Sequence, residues 1–219
     1  MYWVLIKASL FRKKIRTFLT IASISVAFLL FGLLNSMSAI FTGSMKGMSA
    51  DIIMVMPKYN MFGTQPYSTV EYVRSLEGVK KVTHMTMMTS DMIGSMFDGV
   101  VFAADENLYD VYNRFQATEE YKEAMRQRPD GVLVGQLLAD QKGFKIGDKI
   151  RIKSTYKHED GTFNWEFEVV GFYTVKQLTG DELGIIANYK YIDDSRMTMK
   201  GTTGYIIAEV LSPELADSI

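Results

Sequence analysis

Residues 130–173, DGVLVGQLLADQKGFKIGDKIRIKSTYKHEDGTFNWEFEVVGFY, carry the clearest secondary-structure signals in the chain. The apolar run VLVG predicts a buried strand, and the segment Gln136 to Lys142 predicts a short helix that ends at Gly143. Asp160-Gly161 is a hairpin turn signal between the strand KIRIK and a second, longer strand. In that second strand the apolar residues alternate with polar ones and should face a core; they are Trp165, Phe167 and Val169.

Further strands and helices are predicted on both sides of this stretch. Ser68 and Glu71 have the spacing of a capping box, which predicts a helix over residues 69–77 that ends at Gly78. Two helical pieces near 106–113 and 118–127 and a last helix opened by Ser212-Pro213-Glu214 are also predicted. Strand-like runs occupy 51–57, 79–89, 99–104, 184–192 and 203–210. The prediction is an α+β fold, with one mixed α/β domain after the N-terminal segment.

The N-terminal segment contains a long run without charge. No Asp, Glu, Lys or Arg occurs between Arg16 and Lys46. A helix over residues 17–41 would be about 37 Å long at about 1.5 Å per residue, which exceeds a hydrocarbon core about 30 Å thick. The sequence therefore predicts a transmembrane helix. A cleaved signal peptide, whose apolar region is usually shorter, and a buried helix of a soluble protein remain open as alternatives.

Charge around this helix predicts its orientation. Residues 1–16 contain five basic side chains and no acidic one, and Lys and Arg beside a span favour the cytoplasmic side. We therefore expect a basic cytoplasmic or interfacial segment at 1–16, a transmembrane helix at 17–41 and an extracytoplasmic domain at 42–219. The expected location is the cytoplasmic (inner) membrane of a bacterium, with the main domain in the periplasm or outside the cell.

One side of the predicted span is lined by small residues. A neighbouring helix can approach closely along such a stripe, because packing drives helix association in lipid. The stripe predicts that the span packs against other membrane helices; it consists of Ala22, Ser25, Gly32, Ser36 and Ala39.

Composition excludes several kinds of active site. The chain has no cysteine, which removes thiol catalysis, Cys-ligated zinc and iron–sulfur clusters. It has two histidines, His84 and His158, too few for a His-rich metal site. Neither the G-x-x-x-x-G-K-[ST] loop of P-loop ATPases nor the G-x-S-x-G turn of hydrolases occurs. We therefore predict no catalytic, cofactor-binding or metal-binding residues.

The order of these segments resembles a known family. DGVLVGQLLADQKGFKIGDKIRIK followed by FEVVGFY is similar to a passage in the periplasmic core of MacB-type (FtsX- and LolC-like) ABC transporter permeases. KASLFRKKIRTFLTIASISVAFLLFGLL is similar to the basic stretch and first transmembrane helix of such permeases. ADIIMVM, VEYVRSLEGVKKV and GYIIAEVLSPELADSI are similar to the beginning and end of their outer domain.

The resemblance implies a transport function. Such permeases dimerise, pair with separate cytoplasmic ATPase subunits, and pass work across the membrane to a periplasmic domain. The implied role is efflux or extrusion of a substrate such as a lipoprotein, with a possible periplasmic adaptor and no nucleic-acid partner. Family permeases continue into further membrane helices, so the chain is expected to be the N-terminal part of a split or truncated permease. The substrate, the ATPase and the choice between homodimer and heterodimer are not specified by the sequence.

Two other functions remain open at this point. A membrane-anchored binding module could hold Cu(I), which thioether and imidazole ligands suit, through His84, Met85, Met87, Met88, Met92 and Met96. Methionine also fills irregular gaps in cores, and Met85 and Met87 should share one strand face. A single-pass enzyme could use carboxylates, although none has a spacing that implies a pair on one helix face; the candidates are Asp91, Asp98, Asp105 and Glu106.

Overall fold

A computed structural model describes residues 14–46, 51–58, 60, 63–89, 100–176 and 181–215, with side chains of the first helix described as far as Ser36. The chain divides into two units, Met1–Lys46 and Gly47–Ile219.

The first unit contains one long helix, α1, over Lys14–Lys46. It covers the predicted segment 17–41 and extends past it at both ends. Its stretch Lys14–Ser36 has a mean hydropathy of 2.3 and none of it is buried in the structure. Within the described residues this is the one helix long and apolar enough to cross a membrane. Its large side chains, such as Phe18 and Phe28, are exposed on every side, as suits lipid or neighbouring helices better than water.

The second unit alternates strands with short helices. Its strands are β1 (Ile52–Val55), β2 (Gln65–Pro66), β3 (Val79–Thr89), β4 (Val100–Ala104), β5 (Phe115–Gln116), β6 (Gly131–Gly135), β7 (Lys149–Lys153), β8 (Asn164–Val175), β9 (Gly184–Asn188), β10 (Thr202–Thr203) and β11 (Tyr205–Val210). Its α-helices are α2 (Ser68–Ser75), α3 (Leu108–Val111), α4 (Glu119–Gln127), α5 (Gln136–Lys142) and α6 (Tyr189–Ser195). Two 3₁₀ turns cover Asp181–Leu183 and Pro213–Leu215.

Nine of the strands form one mixed sheet. The order is β1-β11-β3-β4-β9-β6-β8-β5, and β7 pairs with β8 beside this path. The pairs β4–β9 and β6–β8 are parallel, and the other pairs in the sheet are antiparallel. The remaining two strands, β2 and β10, pair with each other. This is the predicted mixed α/β domain.

The sheet is covered by helices on both faces. One face packs against α5 and α6 and contains Trp165, Phe167 and Val169, which are at most 1% exposed. The other packs against α3 and α4, with Leu133, Tyr173 and Ile186 at its centre. A smaller cluster joins α2 to Val82 and Ile206. The alternation predicted for the long hairpin is therefore confirmed, because its apolar side chains lie in the core.

Two glycines in the core stretch have distinct structural reasons, a close approach at Gly135 and a left-handed backbone at Gly143. A Cβ at Gly135 would lie 2.1 Å from the carbonyl oxygen of Glu182, so no larger residue fits where β6 turns into α5. Gly143 ends α5 in the left-handed conformation with φ of 73°, as predicted from its position after the helix.

Two local predictions were wrong, and a third is tested only in part. Ser68 is not a cap: Tyr67 is already helical, α2 begins at Ser68, and Glu71 pairs with Arg74 at 2.7 Å instead of reaching back. The predicted strand 184–192 ends at Asn188, because the Asn188 side chain accepts hydrogen bonds from the backbone of Lys190 and Tyr191 and starts α6. After Ser212 the described chain forms only a 3₁₀ turn, and residues 216–219 lie outside the described part.

Candidate binding groove around His84

A groove of about 580 Å³ lies beside the middle of β3 and the end of β4. Its floor is His84 of β3, and Tyr67, just before α2, forms one wall. Helix α6 forms the opposite wall with Tyr189, Lys190, Asp193 and Asp194, and the loop after β4 adds Asp105 and Glu106. We call this cavity the His84 groove. Its volume lies in the range of small-ligand sites.

The imidazole of His84 is held by aromatic rings. The residue is 1% exposed. The ring meets Tyr67 edge-to-face at 5.1 Å and Tyr189 at 4.4 Å between centroids, and the two tyrosine rings are roughly parallel at 6.1 Å. Its Nδ1 lies 3.1 Å from Oγ1 of Thr203, and its Nε2 lies 3.9 Å from Oδ2 of Asp105. The ring is therefore fixed in orientation, with Nε2 toward the carboxylate.

A fully buried arginine supports the α6 wall. Arg196 donates from Nε to Oδ1 of Asp193 at 2.9 Å and from Nη2 to the carbonyl of Thr202 at 2.6 Å, and it makes a further contact to Asp193 through Nη2. Its guanidinium lies 5.9 Å from the Tyr189 ring centroid. The Tyr189 hydroxyl also donates to the Thr202 carbonyl at 2.9 Å. These bonds tie α6 to the next loop, so the wall is preorganised.

The groove is acidic. Four carboxylates line it, from Asp105, Glu106, Asp193 and Asp194, against the single cation Lys190. Asp193 is neutralised by the buried guanidinium beneath it and also accepts a hydrogen bond from the backbone of Gly201 at 3.0 Å. The remaining carboxylates leave a negative field that favours a cationic ligand.

Burial lowers the pKa of His84 below its ordinary value, and the nearby carboxylate of Asp105 opposes this shift. Burial dominates because a charged imidazole loses its hydration in the core. His84 is therefore neutral near pH 7.

A second groove, of about 700 Å³, lies beside the β7–β8 hairpin. Its charges are largely paired with each other, since Glu166 accepts from Lys149 at 2.8 Å and from Arg151 at 2.7 Å. These pairs hold the pKa of Glu166 down at about 2. Paired surface charges leave little field for a ligand, so the His84 groove is the better candidate.

The structure separates the residues that were grouped as a possible copper site. Met85 and Met87 pack on the α3–α4 side of the sheet, as predicted for two residues on one strand face, whereas Met88 belongs to the opposite cluster. His84 and Met85 are adjacent in a strand and point to opposite faces. Within the described residues no three His, Asp or Glu side chains are arranged to hold a metal ion. Met92 and Met96 lie outside the described residues.

Of the acidic residues considered for catalysis, Asp105 and Glu106 line the His84 groove. Asp91 and Asp98 lie outside the described part of the chain. The prediction that the chain has no catalytic or cofactor residues stays a prediction.

Sequence reasoning missed most of the groove. Tyr67, Tyr189, Asp193 and Asp194 carry no motif, and three of them lie on a helix that was predicted as strand or left unassigned. One available signal was Asn188, a favoured N-cap residue directly after an apolar strand. It indicates a helix start at Tyr189, and the spacing of four residues then places Tyr189 and Asp193 on one helix face.

Comparison with known proteins gives a consistent result for the fold. The family model for the MacB-like periplasmic core domain matches residues 17–218. The periplasmic region of MacB from Actinobacillus actinomycetemcomitans matches with a TM-score of 0.53 at 11% identity, over 79% of this chain and 82% of that one. The extracellular domain of the noncanonical ABC-type transporter YknZ from Gram-positive bacteria gives 0.47 at 11% identity, over 76% and 86%. A search of curated proteins found no match.

Proposed function

Because the chain belongs to the family of MacB-like periplasmic core domains, we propose that it is the N-terminal part of a permease in which ATP hydrolysis in the cytoplasm moves the sheet domain outside the membrane. The observation that carries the proposal is the extent of the family match, residues 17–218, which takes in the apolar helix and the sheet domain together. If the apolar helix were an anchor unrelated to the sheet domain, we would not expect one family model to match both.

In this proposal α1 is the mechanical link. An α-helix of 33 residues is about 50 Å long, enough to cross a bilayer and continue beyond it. Only residues 47–51 separate its end from β1 along the chain. A movement of α1 driven from the cytoplasmic side would therefore be passed to the sheet domain through a short connection. The permease acts as a homodimer or heterodimer, with small residues of α1 facing a neighbouring helix.

The ATPase in this proposal is a separate subunit. This part of the proposal follows the family, since the resemblance pairs such permeases with separate cytoplasmic ATPase subunits. The sheet domain then contacts a periplasmic substrate, such as a lipoprotein or peptide, or an adaptor that leads to an outer-membrane channel. The preorganised His84 groove is one surface through which such contact could occur.

The direct test is purification of the tagged full chain from its native membranes. We expect an ABC ATPase to purify with it and the complex to hydrolyse ATP with inhibition by vanadate. Amide hydrogen exchange of the sheet domain should differ between the nucleotide-free and vanadate-trapped complex, whereas ADP alone should have little effect. Two results would favour the membrane-anchored binding module instead. One is that the chain purifies without an ATPase, and the other is that amide hydrogen exchange of the sheet domain is the same in the nucleotide-free and vanadate-trapped complexes.

A further inference from the structure

The hydrogen-bond chain beneath His84 indicates which ring nitrogen carries the proton. The hydroxyl of Thr203 has one hydrogen, and it is donated to the carbonyl oxygen of Met85 at 3.4 Å. Oγ1 of Thr203 itself accepts a hydrogen bond from the Thr86 hydroxyl at 3.4 Å. With the Thr203 hydrogen directed to Met85, a proton on Nδ1 of His84 would satisfy the 3.1 Å contact between Nδ1 and Oγ1 of Thr203. In the neutral ring this leaves Nε2 as a hydrogen-bond acceptor.

Two acceptors then face each other across the groove floor. Nε2 of His84 carries a lone pair and lies 3.9 Å from Oδ2 of Asp105, which is beyond hydrogen-bond distance. No other hydrogen bond to Nε2 is formed within the described part of the chain. Oδ2 of Asp105 is partly exposed and accepts a long hydrogen bond from Nδ2 of Asn107 at 3.3 Å, so it keeps capacity for a further donor from outside the chain. A ligand nitrogen could lie about 2.8 Å from both atoms, which is an ordinary hydrogen-bond length.

The surroundings of this pair select a positively charged donor. The carboxylates of Glu106 and Asp194 stand exposed at the rim, and neither forms an ion pair through its side chain within the described residues. Tyr67 and Tyr189 present aromatic walls next to the floor. Carboxylates attract a cation into the groove, and aromatic walls pack against an aliphatic stem.

The small exposed area of His84 favours a compact cation. His84 is 1% exposed, so a ligand reaches Nε2 only through a slender group. A primary ammonium is compact, has three rotatable donors and stands on a flexible four-carbon stem in lysine, whereas a guanidinium is a wider planar fork. We propose that the His84 groove binds the ammonium group of a lysine side chain presented by an extracytoplasmic partner polypeptide, with Nε2 of His84 and Oδ2 of Asp105 accepting its hydrogen bonds.

This site does not depend on the ATP-driven movement proposed above. It would operate equally in a transporter and in a membrane-anchored binding module. Its failure and the failure of the transport proposal are therefore distinguishable, because no ATPase enters the test.

The test uses ¹⁵N-histidine NMR of the full chain in nanodiscs, where the two histidines give a simple spectrum. His158→Gln assigns the remaining ring to His84. The probe is the capped peptide acetyl-Gly-Lys-Gly-amide, and the matched probe carries norleucine in place of lysine. At pH 7.5 we expect a neutral ring with Nδ1 protonated, and a saturable shift of the Nε2 signal with the lysine peptide but none with the norleucine peptide.

Charge variants at the rim keep the test independent of folding. The double variant Glu106→Gln with Asp194→Asn changes two exposed residues. We expect it to bind the lysine peptide roughly tenfold more weakly, because it loses two solvent-screened attractions between a carboxylate and the ammonium group. The matched control is Asp110→Asn with Glu120→Gln, two exposed acids outside the groove, which should bind as the parent chain does. Equal shifts with both peptides, equal affinity in both double variants, or a ring already protonated on both nitrogens without ligand would overturn the proposal.

Discussion

At the scale of single residues, Trp165 shows how a sequence pattern becomes packing energy. The side chain is 1% exposed, stacks on Phe167 at 6.2 Å and donates from Nε1 to the carbonyl of Tyr156 at 2.9 Å. Its neighbour Glu166 points the other way and pairs with Lys149 and Arg151 at the surface. One residue step along β8 thus separates the core from solvent.

Trp165→Ala should destabilise the sheet domain severely. The substitution leaves a large cavity, which typically costs about 3–5 kcal/mol, and it removes the donor of the buried Tyr156 carbonyl. Urea unfolding of the chain in nanodiscs, followed by far-ultraviolet circular dichroism, measures the loss. Glu166→Ala is the control and should cost much less, because exposed ion pairs are screened by solvent. Similar losses in the two variants would contradict the strand register.

The neutral state of His84 predicts a dependence of stability on pH. Burial lowers its pKa in the folded chain, so below its ordinary value near 6.5 the unfolded chain binds more protons than the folded one. Stability should therefore fall as the pH drops from 7.5 through 6.5 toward the lowered pKa. The charged groups that influence the ring are Asp105, Arg74, Asp193 and Glu71.

Thermal unfolding at pH 7.5, 6.5 and 5.5 checks this prediction. The melting temperature of the parent chain should decrease over this range, and the decrease should be smaller in His84→Gln, whose side chain cannot take up a proton. If the melting temperature fell equally with pH in the parent chain and in His84→Gln, a group other than His84 would cause the pH dependence.

At the scale of elements, the alternating strand β8 and the Gly-terminated helix α5 were predictable, whereas helix α6 was not. The alternation in β8 runs through the 12 residues of Asn164–Val175, which makes a period of two unmistakable. Helix α6 has seven residues, too few to show a helical period, and its tyrosines and isoleucine favour strands. The Asn188 side chain caps the N-terminus of a helix at Tyr189, so the chain leaves the strand there. Hydrogen bonds from Arg196 to Asp193 stabilise this helix.

The small-residue stripe of α1 gives a prediction about assembly. A Cβ built at Gly32 meets nothing within 4 Å, so Gly32→Leu fits the single chain without strain. Only a neighbouring helix would be displaced, since close approach in lipid needs small residues at the contact. Membrane insertion should therefore survive, whereas copurification of the complete permease assembly should be lost or strongly reduced.

The matched variant is Leu30→Ala, on another sector of the same helix. It keeps the span apolar and removes bulk instead of adding it, so its effect on assembly should be mild. If Gly32→Leu assembled as well as the parent chain, α1 would be an anchor without a packing role.

At the scale of the whole molecule, the sheet order creates the groove. Strand β3 lies between β4, which follows it in the chain, and β11, which is far from it in sequence. This order brings His84 of β3 near Asp105, just after β4, and Thr203 of β10, just before β11. His84, Asp105 and Glu106 could be noticed in the sequence, but only as parts of other hypotheses. Their convergence with α6 depends on long-range pairing, which no local pattern contains.

The central claim, that one N-terminal helix crosses the membrane and the sheet domain lies outside, is tested most directly by cysteine accessibility. The chain has no cysteine, so Gln141→Cys on the exposed side of α5 and Ser9→Cys each give a single thiol. In intact cells a membrane-impermeant maleimide should label position 141, and position 9 should react only after lysis. Labelling of position 9 alone in intact cells, or protection of position 141 until lysis, would contradict the account.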